Sequence, residues 1–343
     1  MAKLSKEEKA FRRKKLKTMQ AYDLSLKVLH TKRIIREFLK HYAGYISFSG
    51  GKDSRVLLHI IRQMYPDMLA VFANTGLEHP ELVEFVKQFE NVTIIKPDKH
   101  FKQVILEYGY PILSKAISNA IYWARKNRDE GNNTTRLQRL NGTLKDNDGN
   151  KSKYNLERYK PLLDAPFIIS ELCCNEMKKK PFKKFNKMSG KHPITAEMTE
   201  ESRAREDAWI KTGCNIFGDE PRSKPMSFWT DQDIFQYIQL HNLDIPSVYG
   251  TIEKENFLPD CKLCTTGEKR TGCTFCAFGL QMEKGLTRFQ KLKQNNPNFY
   301  KYIIGGGEFN GDNMWQPSKK GLGFGYVFDY LNGLYGKDFI RYK

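Results

Sequence analysis

An α/β fold, doubly wound around a parallel sheet with helices on both faces, is predicted by three observations. From residue 44 onward, short apolar runs alternate with segments of helical periodicity. A Ser-Gly-Gly-Lys-Asp-Ser turn, residues 49–54, joins the first run to the first helical segment. A second turn, Asn74-Thr75-Gly76, follows the second run at the same end. Ligands of such sheets gather at the carboxyl ends of the strands, where both turns lie.

The elements follow in order. Residues 1–40 carry thirteen Lys and Arg against four acidic residues, with Leu24, Val28, Ile35 and Leu39 near helical spacing. This predicts a basic helical segment, either an arm for nucleic acid or a partner, or a solvated helix at the domain edge. Strands are predicted at 45–48, 68–73, 92–96 and 192–196. Helices are predicted at 55–64, 80–89, 100–108, 115–128 and within 197–210. Thr230 reads as the cap of another helix with an acidic first turn, and Trp229 and Phe235 as core. A stretch rich in Asn and Gly near 129–155 predicts a flexible insertion. The expected domains are therefore a basic N-terminal segment (1–40), a nucleotide-binding α/β domain (41–250) and a cysteine-rich, basic and aromatic C-terminal region (251–343).

The chain has 343 residues, 40% hydrophobic content and a formal net charge of +18. This balance predicts an anionic partner, with nucleic acid the leading case. No secretory or membrane-spanning run is visible, so a cytoplasmic protein without membrane attachment is expected. In that compartment seven clustered cysteines argue for metal rather than disulfides.

The turn at 49–54 has the parts of a phosphate cradle. Gly50 and Gly51 let the backbone approach an anion, and the helix that follows offers free N–H groups. Lys52 adds a point charge, and Ser49 and Ser54 add hydroxyls. The spacing matches neither the Walker A pattern nor the Rossmann Gly-x-Gly-x-x-Gly. It resembles the PP-loop of the adenine nucleotide α-hydrolase-like superfamily. The second turn, through Pro80-Glu81-Leu82, resembles the Asp-Thr-Gly-x-x-x-Pro-Glu-Thr turn of the PAPS reductase family, with Asn74 for Asp and Leu82 for Thr. Glu201-Ser202-Arg203-Ala204-Arg205 resembles part of that family's Gly-x-Arg-x-x-Glu/Gln-Ser-x-x-Arg motif. Ala196 and Met198 stand where its Gly and first Arg are expected. The resemblance implies a nucleotide site of Ser49, Gly50, Gly51, Lys52, Asp53, Ser54, Asn74, Thr75 and Gly76. Its candidate catalytic residues are Lys52, Asp53 and Arg205. The ligand is ATP, carrying Mg2+, or a sulfonucleotide.

Cys261-x-x-Cys264 and Cys273-x-x-Cys276 form a thiolate pattern that suits zinc or an iron–sulfur cluster on spacing alone. Gly272-Cys273-Thr274-Phe275-Cys276 resembles the cluster-binding Gly-Cys-x-x-Cys of iron–sulfur PAPS reductase relatives. Cys173-Cys174, followed by lysines and Pro181, resembles the Cys-Cys pair that completes the cluster in adenylylsulfate reductases. Cys264 is similar in place to an upstream cysteine of DNA phosphorothioation enzymes. The resemblance implies a [4Fe–4S] cluster on Cys273 and Cys276 with partners from Cys173, Cys174 and Cys264, beside an activated nucleotide. Cys261 is a weaker candidate, and Cys214 reads as a buried thiol. No cysteine follows Cys276, where assimilatory reductases carry a nucleophilic thiol. The first expectation is therefore ATP-dependent adenylation with pyrophosphate release, then sulfur transfer to a nucleic acid, using a sulfur- or electron-donor protein. The alternatives are a sulfonucleotide reductase releasing sulfite and a non-catalytic nucleotide and cluster sensor.

Overall fold

The computed structural model describes residues 4–129, 134–255 and 262–343. The chain divides into two compact units, each built from two stretches: Met1–Lys96 with Phe182–Thr271, and Pro97–Pro181 with Gly272–Lys343. These limits differ from the expected domains. Residues 1–40 and 251–271 join the unit that holds the turn at 49–54, whereas 97–181 leave it. The physical reason is that the six-stranded sheet takes no strand between Ile95 and His192, while Ile112–Leu113 pairs elsewhere, with Ala277–Phe278.

The first unit holds a six-stranded sheet. Its strands are β1 (Gly44–Ser47), β2 (Ala70–Ala73), β3 (Val92–Ile95), β4 (His192–Ile194), β5 (Asn215–Ile216) and β6 (Arg222–Ser223), in spatial order β3-β2-β1-β4-β6-β5. All pairs are parallel except β5 with β6, an antiparallel edge. Ile46 of β1 stands opposite Ala70 on one side and Ile194 on the other. From β1 the chain winds outward through β2 and β3, then returns to β4 on β1's free side. This makes the end of β1 the point where strand order reverses, the usual ligand position in such sheets.

Helices α1 (Lys6–Gln20), α2 (Leu24–His41), α3 (Lys52–Arg62), α4 (Pro80–Lys87), α5 (Arg203–Thr212) and α6 (Asp231–Leu240) complete this unit. Ser5 and Glu8 form a capping box on α1, and the Asp23 side chain caps α2. Leu16 and Met19 of α1 and Ile35 and Phe38 of α2 enter the same apolar core as Ile46, Leu57, Phe72 and Trp229. The N-terminal segment is thus part of the domain rather than a detached arm. Lys27 of α2 is buried and donates to Asp233 Oδ2 at 2.6 Å, which ties α2 to α6. Thr230 caps α6 as expected, and Trp229 and Phe235 are buried.

The second unit is mainly helical and aromatic. It includes helices Phe101–Tyr108, Lys115–Asp129, Thr135–Asn141, Arg288–Asn295, Pro297–Ile304 and Phe324–Tyr335. Tyr110 meets Phe167 and Phe324 edge-on, and Phe289 meets Phe328. Ile112–Leu113 pairs in parallel with Ala277–Phe278, joining the unit's two chain stretches. Within the expected insertion, the described residues form helix Thr135–Asn141 and a turn in which Asp146 Oδ1 accepts from the amides of Asp148 and Asn150. Among the described residues, no helix is long and apolar enough to cross a membrane.

Candidate functional site

The phosphate cradle is shaped by two glycines. Gly50 has φ +74°, a left-handed conformation that side chains disfavour. A Cβ there would lie 2.9 Å from Val86 Cγ2 and 3.2 Å from the Leu82 carbonyl oxygen. The loop therefore packs against α4 only because position 50 has no side chain. Gly51 is the N-cap of α3 and supplies no side-chain cap. The first amides of α3 have no acceptor within the helix and sit at the positive end of its dipole, and the Lys52 amide is taken up by Tyr249 Oη. Ser49 and Ser54 brace the turn. Their hydroxyls lie 3.0 Å apart, and Ser54 Oγ donates to the Gly51 carbonyl at 2.9 Å.

Lys52 does not reach toward the open side. It is 1% exposed, and its Nζ donates to Asp53 Oδ1 and Asp231 Oδ1, both at 2.8 Å. Its ammonium also lies 5.3 Å from the centre of the Phe235 ring. Burial pulls its pKa down, but the charges of Asp53 and Asp231 outweigh this, and the net shift is upward. Lys52 thus stays charged and fastens the first turn of α3 to the first turn of α6. The point charge expected at the phosphate is spent inside the protein.

From Asp231 the network continues outward. Arg270 reaches Asp231 at 3.7 Å and Glu201 at 3.4 Å, while Arg205 pairs with the same Glu201. Ser202 caps α5 by accepting from the Arg205 amide at 3.3 Å. Burial raises the Glu201 pKa, with Arg205 opposing and the Asp53 charge adding to the rise. The two guanidinium groups remain 37% and 48% exposed, so they are the cations of this network that meet solvent.

The second turn stands at the end of β2. Gly76 has φ +73°, its amide donates to Asn74 Oδ1 at 3.0 Å, and Thr75 bonds Glu78 through amide and hydroxyl at 2.9 Å. Asn74 thus spends its side-chain oxygen on the turn itself.

Three contributors escaped the sequence reading: Asp231, Tyr249 and Thr271. Asp231 read only as a helix-start acid. A buried Lys52 needs a second counter-charge, and an acid at the start of a neighbouring helix is where to seek it. Tyr249 Oη accepts from the Lys52 amide at 3.4 Å and shares a 2.7 Å hydrogen bond with Thr271 Oγ1. No periodicity or motif marks either residue.

The thiols fall into both units. Cys264 lies in the first, on strand Leu263–Thr265, opposite Glu253. Cys214, also in the first unit, accepts from Trp209 Nε1 at 3.2 Å, and burial raises its pKa. Cys261 lies outside the described residues. The other four candidates share the second unit. Cys173 and Cys174 are hydrogen-bonded thiol to thiol. That bond pulls Cys174 down to about 5, with help from Lys115 and Lys178 and against its burial. Cys173 is pushed up by the same bond, by burial, and by the charges of Cys174, Cys276 and Cys273. Cys276 is pushed up by burial, with Arg288 opposing. Cys173 thus feels the charges of the other three thiols, while Lys115 and Lys178 act on Cys174 and Arg288 on Cys276. Among the described residues, no three His, Cys, Asp or Glu side chains gather closely enough to hold a metal ion. The soft, thiolate-only donor set under positive charge nevertheless suits an iron–sulfur cluster or zinc.

With this geometry in place, comparison with known proteins is decisive for the cradle. Residues 44–148 match the family described as Phosphoadenosine phosphosulfate reductase domain. Over that stretch the chain is similar to a PAPS reductase domain. Relatives named Sulfate adenylyltransferase subunit 2, from Shewanella sediminis (strain HAW-EB3) and Shigella dysenteriae serotype 1 (strain Sd197), are 24% and 26% identical. Each match spans 76% of this chain, and 77% and 76% of the relative. An uncharacterized protein of Methanocaldococcus jannaschii is 36% identical over 77 residues, 21% of this chain and 18% of its own length. Among solved structures, a Candida auris phosphoadenylyl-sulfate (PAPS) reductase in a phosphate complex aligns with TM-score 0.37 and 13% identity. That alignment covers 72% of this chain and 91% of the other.

Proposed function

We propose that this PAPS reductase-domain protein is an enzyme that binds ATP with Mg2+ at the PP-loop and adenylates an oxygen of its target, releasing pyrophosphate. The single observation that carries this reading is the shape of the loop at residues 49–54. Gly50 is seated where no side chain fits, and α3 starts directly after Gly51 with no side-chain cap. The relatives named sulfate adenylyltransferase favour adenylyl transfer over cleavage of a sulfonucleotide. In the proposed reaction a target oxygen attacks the α-phosphorus, and the bond to the β-phosphate oxygen breaks. The α3 amides, fixed before substrate arrives, neutralise charge building on the α-phosphate. Lys52, Asp53 and Asp231 hold those amides in place, while Arg205 and Arg270 supply mobile positive charge.

A sulfur nucleophile from a donor protein then displaces AMP from the target. The basic surface implied by the net charge of +18 favours a nucleic acid as that target. Cys173, Cys174, Cys273 and Cys276, which share the second unit, would hold a [4Fe–4S] cluster. When bound, such a cluster supplies electron- or sulfide-handling chemistry. Lys115, Lys178 and Arg288 offset the negative charge of these thiolates.

A second reading, a sulfonucleotide reductase releasing sulfite, is favoured by the family match at 44–148. The test is pyrophosphate release from ATP, with and without DNA or RNA, alongside sulfite release from PAPS and adenylylsulfate. Pyrophosphate stimulated by nucleic acid is the expected result. Sulfite without pyrophosphate overturns the first reading in favour of the second.

A further inference from the structure

The cradle already holds a tenant. Tyr249 is buried, and its hydroxyl accepts from the Lys52 amide, one of the α3 donors that a phosphate would use. The same hydroxyl lies 3.0 Å from where a Cβ on Gly51 would stand, so glycine there also makes room for it. Its backbone is firmly placed. The Gly267 amide donates to the Tyr249 carbonyl at 2.9 Å, and a Cβ on Gly267 would strike the Val248 carbonyl at 2.4 Å. The other partner of the hydroxyl is Thr271 Oγ1 at 2.7 Å. Thr271 is the last residue of the first unit, and Cys273 follows two residues later in the chain.

From this arrangement we infer that the Tyr249–Thr271 pair is a latch that nucleotide phosphate opens. The inference rests on reading residues 49–54 as a nucleotide-phosphate cradle. A phosphate oxygen takes the Lys52 amide from the Tyr249 hydroxyl, because a charged acceptor at a helix N-terminus makes a stronger hydrogen bond than a neutral phenol at 3.4 Å. The displaced hydroxyl gives up Thr271, and the segment leading into Cys273 and Cys276 loses one of its ties, while the Arg270 ion pairs remain. Nucleotide occupancy is thereby reported to the thiol-bearing segment along the chain itself. Tyr249 and Thr271 are positioning residues in this scheme, touching the loop rather than the reacting atoms.

The experiment is hydrogen exchange of the full chain, reading amides 269–276, with ATP–Mg2+ or inorganic pyrophosphate as the probe and binding measured in parallel. In the wild type, either ligand should speed exchange in this segment. Tyr249→Phe should exchange fast without ligand and show no further change. It should also bind either ligand about three- to tenfold more tightly, because the Lys52 amide no longer has a competing acceptor. Thr271→Val should reproduce the fast exchange while leaving the Tyr249 hydroxyl in place, which separates release of the segment from damage to the fold. Binding by the wild type with unchanged or slowed exchange overturns the latch alone. Weaker binding by Tyr249→Phe also overturns it, since the hydroxyl would then be a phosphate donor. Absence of any binding overturns the latch together with the nucleotide reading.

Discussion

Lys52→Met separates two roles that the sequence allows for this residue. In one, the ammonium meets phosphate. In the other, it fastens α3 to α6 from within. Methionine keeps the length and the packing over Phe235 but removes the charge. The lysine makes two charge-assisted bonds of 2.8 Å, so its loss strands Asp53 and leaves Asp231 with Arg270 at 3.7 Å. Removing one partner of a fully buried pair costs about 3–5 kcal/mol. Asp53 and Asp231 keep 29% and 35% side-chain exposure, and water recovers part of that loss. The expected destabilisation is therefore about 2–3 kcal/mol. For a unit of this size it lowers the unfolding midpoint by about 4–12 °C. The assay is thermal unfolding with and without ATP–Mg2+, paired with nucleotide binding at low temperature. The expected result is a lowered midpoint with affinity kept within about one order of magnitude. An unchanged midpoint with binding abolished would refute the internal role and restore the direct phosphate contact.

Three further outcomes are expected. Gly50→Ala forces a side chain into the left-handed region against Val86 and Leu82, and should cost about 1–3 kcal/mol and abolish nucleotide binding, read by unfolding and titration. Burial lowers the pKa of His30, His59 and His192 below 6.5, so the unfolded chain binds more protons than the folded one as pH falls past that value. Stability should therefore be full above pH 6.5 and decline below it. His59→Gln should flatten that slope in a series of unfolding midpoints against pH. Anaerobically purified protein should contain iron and sulfide. Cys273→Ser and Cys276→Ser should lose both, while Cys214→Ser, whose thiol bonds Trp209, should keep them by elemental analysis.

The parallel part of the sheet was legible because β1, β2 and β3 are short apolar runs each followed by a helix, whereas the two-residue strands β5 and β6 carry no such pattern. The loop at 49–54 was legible because every position has a local reason. The role of Lys52 was not, because a lysine beside two glycines looks solvent-facing. Its counter-charge Asp231 lies far away in sequence and meets it only once α6 packs against α3. Tyr249 and Thr271 were hidden for the same reason, since each acquires meaning only from the other and from the Lys52 amide. The division of the chain also escaped composition. The stretch 97–181 continues the helical texture of its surroundings, and what assigns it to the second unit is pairing between Ile112–Leu113 and Ala277–Phe278, more than 160 residues apart.

That interleaving bears on how the two chemistries are connected. Hard-anion handling belongs to the first unit, where backbone amides and buried carboxylates fix a loop. Soft thiolates belong mainly to the second, under a rim of Lys and Arg. Neither unit is a contiguous segment. The chain crosses between them at 96–97, 181–182 and 271–272. Cys174 precedes the second crossing by a few residues, and Cys273 follows the third almost at once. A thiol pair placed so near a crossing inherits the constraints of both units. On one side it is held by its own unit's packing, on the other by whatever anchors the last residue of the neighbouring unit. At the third crossing that anchor is a hydroxyl bonded to Tyr249, which itself rests on the phosphate cradle. Under the proposed latch, a change in the cradle reaches Cys273 through a few covalent bonds and two hydrogen bonds.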